Sequence, residues 1–185
     1  MTEHSIDGKH HIDLRGAAIS GRILDIGGGG EGMISRQFGD VVVAIDKRKD
    51  ELEESPDIGL KIIMDACDMQ FLDKTFDNAT CFYSLMYMSK SDAEKCLKEA
   101  YRVLKPGGGL WIWDAIMPYP AKSDIFLAPL AVTFGKDEYL TPTYGISWHK
   151  EQTAESTAEL CANIGFDISE IITYDQNFFL KVKKS

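Results

Sequence analysis

A short apolar run over residues 22–26 ends in four consecutive glycines, Gly27, Gly28, Gly29 and Gly30, and an apolar segment over 33–38 follows. Strand, glycine turn and helix in that order point to an α/β design, because glycine permits the tight turn and lets a ligand approach the backbone. The next run, VVVAI at 41–45, is β-branched on both faces, as a buried parallel strand should be. Residues 60–64, 76–83 and 110–113 give a third, fourth and fifth strand. The spacing predicts a helix over 91–104. Ser91 and Glu94 form its capping box, Ala93, Cys96, Leu97, Ala100, Val103 and Leu104 its apolar face, and Pro106-Gly107 its stop. A last helix over about 153–164 ends at Gly165. Two strands, 166–174 and 178–182, then lie three residues apart, a gap that can join only antiparallel neighbours. The pattern is five parallel strands with helical crossovers, then an antiparallel hairpin at the sheet edge.

Two stretches fall outside this rhythm. Residues 1–21 read as a short, mobile N-terminal arm whose His4, His10, His11 and Asp13 lack metal-ligand spacing, so no metal is expected. Residues 115–149 hold four prolines and many aromatics. A long apolar connection leaving a strand's C-terminal end is where such folds build a substrate wall. The 185 residues are expected to form one domain.

Charge and composition exclude more than they identify. Lys and Arg number 20 against 29 Asp and Glu, a net −9, which argues against an electrostatic grip on nucleic acid. No apolar run approaches the ~18 residues a membrane span requires. The first sixteen residues show no apolar core of a signal peptide. Cys67, Cys81, Cys96 and Cys161 form no C-x-x-C pair and read as reduced thiols, which places the chain in the cytoplasm by default.

Read literally, Gly27-x-Gly29-x-x-Gly32 with Asp46 further on is a dinucleotide fingerprint, and a nicotinamide-dependent oxidoreductase is one alternative. Two acids oppose it. Glu31 sets a carboxylate at the helix N-terminus where a pyrophosphate would sit, and Asp25 adds another beside the loop. A cationic, phosphate-free nucleoside tolerates both.

With these residues, the chain resembles the class I S-adenosylmethionine-dependent methyltransferases, especially the small-molecule type of the methyltransferase domain 11 pattern. The matching pieces are Leu24-Asp25-Ile26-Gly27-Gly28-Gly29, Ala44-Ile45-Asp46, Met64-Asp65-Ala66 through Phe71, Phe76-Asp77, and the run from Arg102-Val103-Leu104 to Gly107-Gly108-Gly109. The resemblance implies a Rossmann-like, doubly wound, mostly parallel seven-stranded sheet with a C-terminal antiparallel hairpin and helices on both faces. It implies S-adenosylmethionine as cofactor, with Asp25 toward the methionine ammonium and Gly27, Gly28 and Gly29 against the ligand. Asp46, with Lys47 beside it, would take the ribose, and Asp65 and Ala66 the adenine. Cys81 and Phe82 would flank the methionine end. Glu31 stands where the family's third glycine usually falls.

The implied reaction is in-line methyl transfer to a small-molecule acceptor, which needs alignment more than a named catalytic group. Tyr83, Tyr87, Asp114, Trp148 and His149 are the candidate acceptor contacts. Asp114 is favoured because clefts form at strand C-termini. A cofactor-binding module without turnover is the remaining alternative.

Overall fold

The computed structural model describes residues 2–6, 8–118, 123–147 and 150–185. In chain order the elements are β1 (Glu3–Ser5), β2 (His10–Asp13), β3 (Ile23–Ile26), α1 (Met33–Phe38), β4 (Val42–Asp46) and α2 (Lys49–Glu54). Then come β5 (Leu60–Ile63), β6 (Phe76–Phe82), α3 (Lys90–Val103) and β7 (Leu104–Ala115). The last part holds β8 (Ile125–Phe134), β9 (Glu138–Leu140), β10 (Thr143–Ser147), α4 (Ala154–Ile164), β11 (Phe166–Tyr174) and β12 (Asn177–Lys184).

The central sheet has seven strands in the order β11-β12-β7-β6-β3-β4-β5. Its five strands from β7 to β5 pair in parallel, and β12 runs antiparallel to both β7 and β11. The hairpin lies at the sheet edge as expected, with its second strand, β12, between β7 and β11, so that Phe178, Leu180 and Val182 are buried. Alternation along β7 explains the two-faced packing: Leu110 and Ile112 enter one apolar layer, while Trp111, Trp113 and Ala115 enter the other.

On the first face lie α3 and α4, through Ala93, Cys96, Leu97, Ala100, Ala158 and Cys161. The stop of α4 is as expected, with Gly165 at φ 119, and its start is a capping box of Thr153 and Ser156. The start of α3 differs from the expectation. Ser89, not Ser91, is the cap, and its Oγ accepts from the Asp92 amide at 3.1 Å. Asp92, three residues on, accepts from the Ser89 hydroxyl at 2.8 Å and does not close a capping box. A further correction concerns the crossovers: residues 64–75, between β5 and β6, contain no helix.

On the second face α1 is joined by a second sheet of five strands built around β8. β1 and β2 pair in parallel with successive parts of β8, while β10 and β9 pair antiparallel on its other side. The N-terminal arm is thus a paired part of a sheet, not a loose end, with Ile6, Ile12 and Leu14 buried against Phe126, Leu130 and Val132. The 115–149 excursion supplies the other three strands.

Candidate functional site

The C-terminal ends of β3, β4, β5 and β6 open onto one cavity of about 660 Å³, within the ~300–1,000 Å³ of small-molecule sites. The glycine loop forms its floor. Gly27 and Gly28 donate to Ile45 O at 2.9 and 3.1 Å, which ties the loop to β4. Two of these positions exclude any larger residue. A Cβ on Gly28 would stand 2.5 Å from Asp25 Oδ2, and one on Gly29 would stand 2.5 Å from Glu51 Cβ.

Asp25 ends up 2% exposed behind this loop. Its Oδ1 accepts from Thr80 Oγ1 at 2.8 Å. Burial, with help from the Asp46 charge, lifts its carboxyl to about 7 against the Thr80 hydrogen bond. Such a carboxyl lacks a cation, and a ligand ammonium is the group it best accommodates. Asp46 and Asp65 share a local device. Each turns one oxygen back to the amide two residues on, Arg48 N at 2.9 Å and Cys67 N at 2.8 Å. Asp46 Oδ2 has no hydrogen-bond partner among the described residues and is available for a ligand hydroxyl, while Asp65 also takes a hydrogen bond from the Cys67 thiol.

Asp25, Gly27, Gly28, Gly29, Asp46, Lys47, Asp65, Ala66 and Phe82 all line the cavity. Cys81 does not. It alternates with Phe82 across the sheet, so its side chain lies in the apolar layer under α3, where burial and the Cys96 thiol keep it a thiol.

The acceptor candidates divide. Tyr83 and Tyr87 line the cavity. Trp148 and His149 lie outside the described residues. Asp114 is a correction: it is wholly buried and turned away from the cavity. Its oxygens accept from the amides of Leu85 (2.9 Å), Met86 (3.2 Å) and Ala115 (2.8 Å) and from Gln152 Nε2 (2.9 Å). Burial raises its carboxyl to about 6, despite those donors and the Lys150 charge. Lys150 Nζ in turn donates to Leu85 O at 2.6 Å and Gln152 Oε1 at 3.0 Å. Asp114 therefore holds the 3₁₀ turn Leu85–Tyr87 instead of meeting an acceptor.

Several lining residues carry no motif. Ser84, at the mouth of the loop, has a buried Oγ with no hydrogen-bond partner among the described residues. Its position just past a strand end was the one available signal. Tyr144 and Gly145 reach the cavity from β10, so the second sheet forms one wall. Tyr144 stacks on Tyr83 with centroids 5.3 Å apart and planes at 15°. Tyr83 itself adopts φ 51, a costly left-handed conformation for an aromatic residue. Its amide donates to Trp113 O at 2.7 Å and its hydroxyl to Asn177 Oδ1 at 2.7 Å, which hold it there. No group of three or more His, Cys, Asp or Glu residues suited to a metal ion occurs among the described residues.

The family model described as a methyltransferase domain matches residues 24–112. A sterol 4-C-methyltransferase of Caenorhabditis elegans is 36% identical over 58% of this chain and 31% of its own length. A ubiquinone/menaquinone biosynthesis C-methyltransferase, UbiE, of Hydrogenovibrio crunogenus is 28% identical over 94% of this chain and 76% of its own. The chain spans about half the length of further curated relatives. Among solved structures, an S-adenosylmethionine-dependent methyltransferase of Methanosarcina mazei superposes with TM-score 0.62 and 22% identity, over 88% of this chain and 91% of that one. With the motif run, the sheet order and the placement of the glycine loop, these likenesses agree: a methyltransferase domain matches residues 24–112, and the fold is that of solved S-adenosylmethionine-dependent methyltransferases.

Proposed function

We propose that this chain, as one domain, transfers a methyl group from S-adenosylmethionine to a small-molecule acceptor bound beside Tyr83, Tyr87 and Tyr144. The observation that carries the reading is the convergence of Asp25, Asp46 and Asp65 with the glycine loop on one cavity. Three carboxylates converging on the loop, with Glu31 at its helix end, suit a cationic nucleoside and disfavour a dinucleotide. Asp25 would take the ammonium, Asp46 the ribose hydroxyls and Asp65 the adenine amine, beside a loop whose Gly28 and Gly29 pack closely against Asp25 and Glu51.

The bound cofactor supplies a methyl on a cationic sulfur, an already good leaving group. The chain's own contribution is alignment and exclusion of water, and alignment can be worth roughly 7–11 kcal/mol. Phe82, Tyr83 and Tyr144 wall the acceptor end with aromatic surface. The Asp114–Gln152–Lys150 network fixes the turn that presents Ser84 and Tyr87. The net charge of −9 speaks against nucleic acid as acceptor. All four cysteines are unpaired, which fits a reducing, cytoplasmic setting, and no described helix is long and apolar enough to cross a membrane.

The test is turnover. Incubation with S-adenosylmethionine and a panel of small-molecule acceptors should release S-adenosylhomocysteine in an acceptor-dependent manner. Tight cofactor binding with no release for any acceptor would favour a binding module instead.

A further inference from the structure

The charges around the cavity are not evenly spread. Lys47, Arg48 and Lys95, the lining bases, belong to the end with Asp46, Asp65 and Asp92. Arg48 is already paired with Asp50 and Glu51, and Lys95 with Asp92. The lining residues that touch or act on Tyr83, Tyr87 and Tyr144 are Glu31, Glu51, Phe82 and Gly145, and no Lys, Arg or His is among them. The Lys150 ammonium, half-buried beneath the turn, donates to Leu85 O and Gln152 Oε1.

Glu31 gives the tyrosine end its sign. Its carboxylate forms no ion pair among the described residues, and the cation nearest in sequence, Arg36, donates to its backbone carbonyl at 2.7 Å instead. The carboxylate faces the Tyr144 hydroxyl and acts on Tyr87 as well, while Asp114 lies behind Tyr83 and Tyr87. Burial and these acids raise all three phenols, so the wall stays neutral and protonated at physiological pH. Neutral aromatic surface with one unpaired carboxylate attracts cations, through the ring quadrupole and through charge. It repels carboxylates and phosphates, which would meet no positive partner.

We propose that the acceptor bound beside the cofactor carries an ammonium group, recognised by Glu31 and the wall of Tyr83, Tyr87 and Tyr144. The ammonium is the recognition handle. The proposal rests on the methyltransferase reading above and adds the acceptor's charge class. Two matched probes test it, phenethylamine and phenylacetate, which share a ring and differ in the sign of the charged end. Each is titrated by calorimetry into protein saturated with S-adenosylhomocysteine, whose own ammonium then occupies Asp25.

The expected result is at least tenfold tighter binding of the amine than of the acid, reduced to under threefold by Glu31→Gln. Equal affinities, a preference for the acid, or no measurable binding of the amine would overturn the proposal. So would a Glu31→Gln variant that keeps the full preference. S-adenosylhomocysteine binding to both proteins is the control for folding and for the underlying reading. Its absence from the wild-type protein would defeat that reading itself, an outcome distinct from failure of the amine preference.

Discussion

Asp25 concentrates the account at the level of single residues. Its carboxyl lies near 7 instead of its ordinary 3.8, because it is buried. Between those values the unfolded chain has released a proton that the folded chain still holds, so stability falls as pH rises through that window. Asp114, raised to about 6, acts in the same direction. The ligand-free protein should therefore lose thermal stability from pH 5 to 7.5, and Asp25→Asn should flatten much of that slope in a melting series. Binding of an ammonium-bearing ligand needs the charged form. Affinity for S-adenosylhomocysteine should accordingly rise several-fold from pH 6 to 8 in the wild type and stay nearly level in Asp25→Asn. The ligand-facing carboxylates were legible in the sequence because each stands within two residues of a strand's C-terminal end. Cys81 was misplaced although the information was present: period-two alternation puts it and Phe82 on opposite faces, and only Phe82 can reach the ligand side.

At the scale of elements, the turn after β6 is the part that most depends on its surroundings. It presents Tyr83, Ser84 and Tyr87, yet its buried Leu85 and Met86 amides donate to Asp114, and its Leu85 carbonyl accepts from Lys150. Asp114→Ala leaves buried donors unpaired, at about 1–3 kcal/mol for each. Urea denaturation should show a loss of at least ~2 kcal/mol, while Thr153→Ala at the α4 cap should cost only about 1 kcal/mol. Equal effects of the two substitutions would contradict the role given to Asp114. Helix ends followed local chemistry and were readable, although two serines two residues apart left the α3 cap ambiguous. Asp114 was misread because a strand's C-terminal end marks a cleft only in general. Whether the side chain turns outward or back to orphan amides depends on Gln152 and the turn at Leu85, contacts remote in sequence.

The whole molecule shows where sequence pattern ran out. The central sheet was recoverable because each parallel strand is a local apolar run bounded by loops. The second sheet was not. β1 and β2 are three and four residues long, too short to show a period, and their partner β8 lies more than a hundred residues away. Only tertiary contact defines them. That sheet brings Tyr144 to the cavity, so the arm bears on the site without touching it. Removal of residues 1–13 would uncover Phe126, Leu130 and Val132. Hydrogen exchange should then lose protection over 125–134 and 143–147, with the central strands β3 and β6 still protected.

The central claim is that this cavity holds S-adenosylmethionine with Asp46 on the ribose. Calorimetric titration of S-adenosylhomocysteine into the wild type and Asp46→Ala tests it directly. The account predicts saturable one-to-one binding to the wild type and at least tenfold weaker binding to the variant, with unchanged melting temperature for the ligand-free proteins. Undiminished affinity in Asp46→Ala would contradict it.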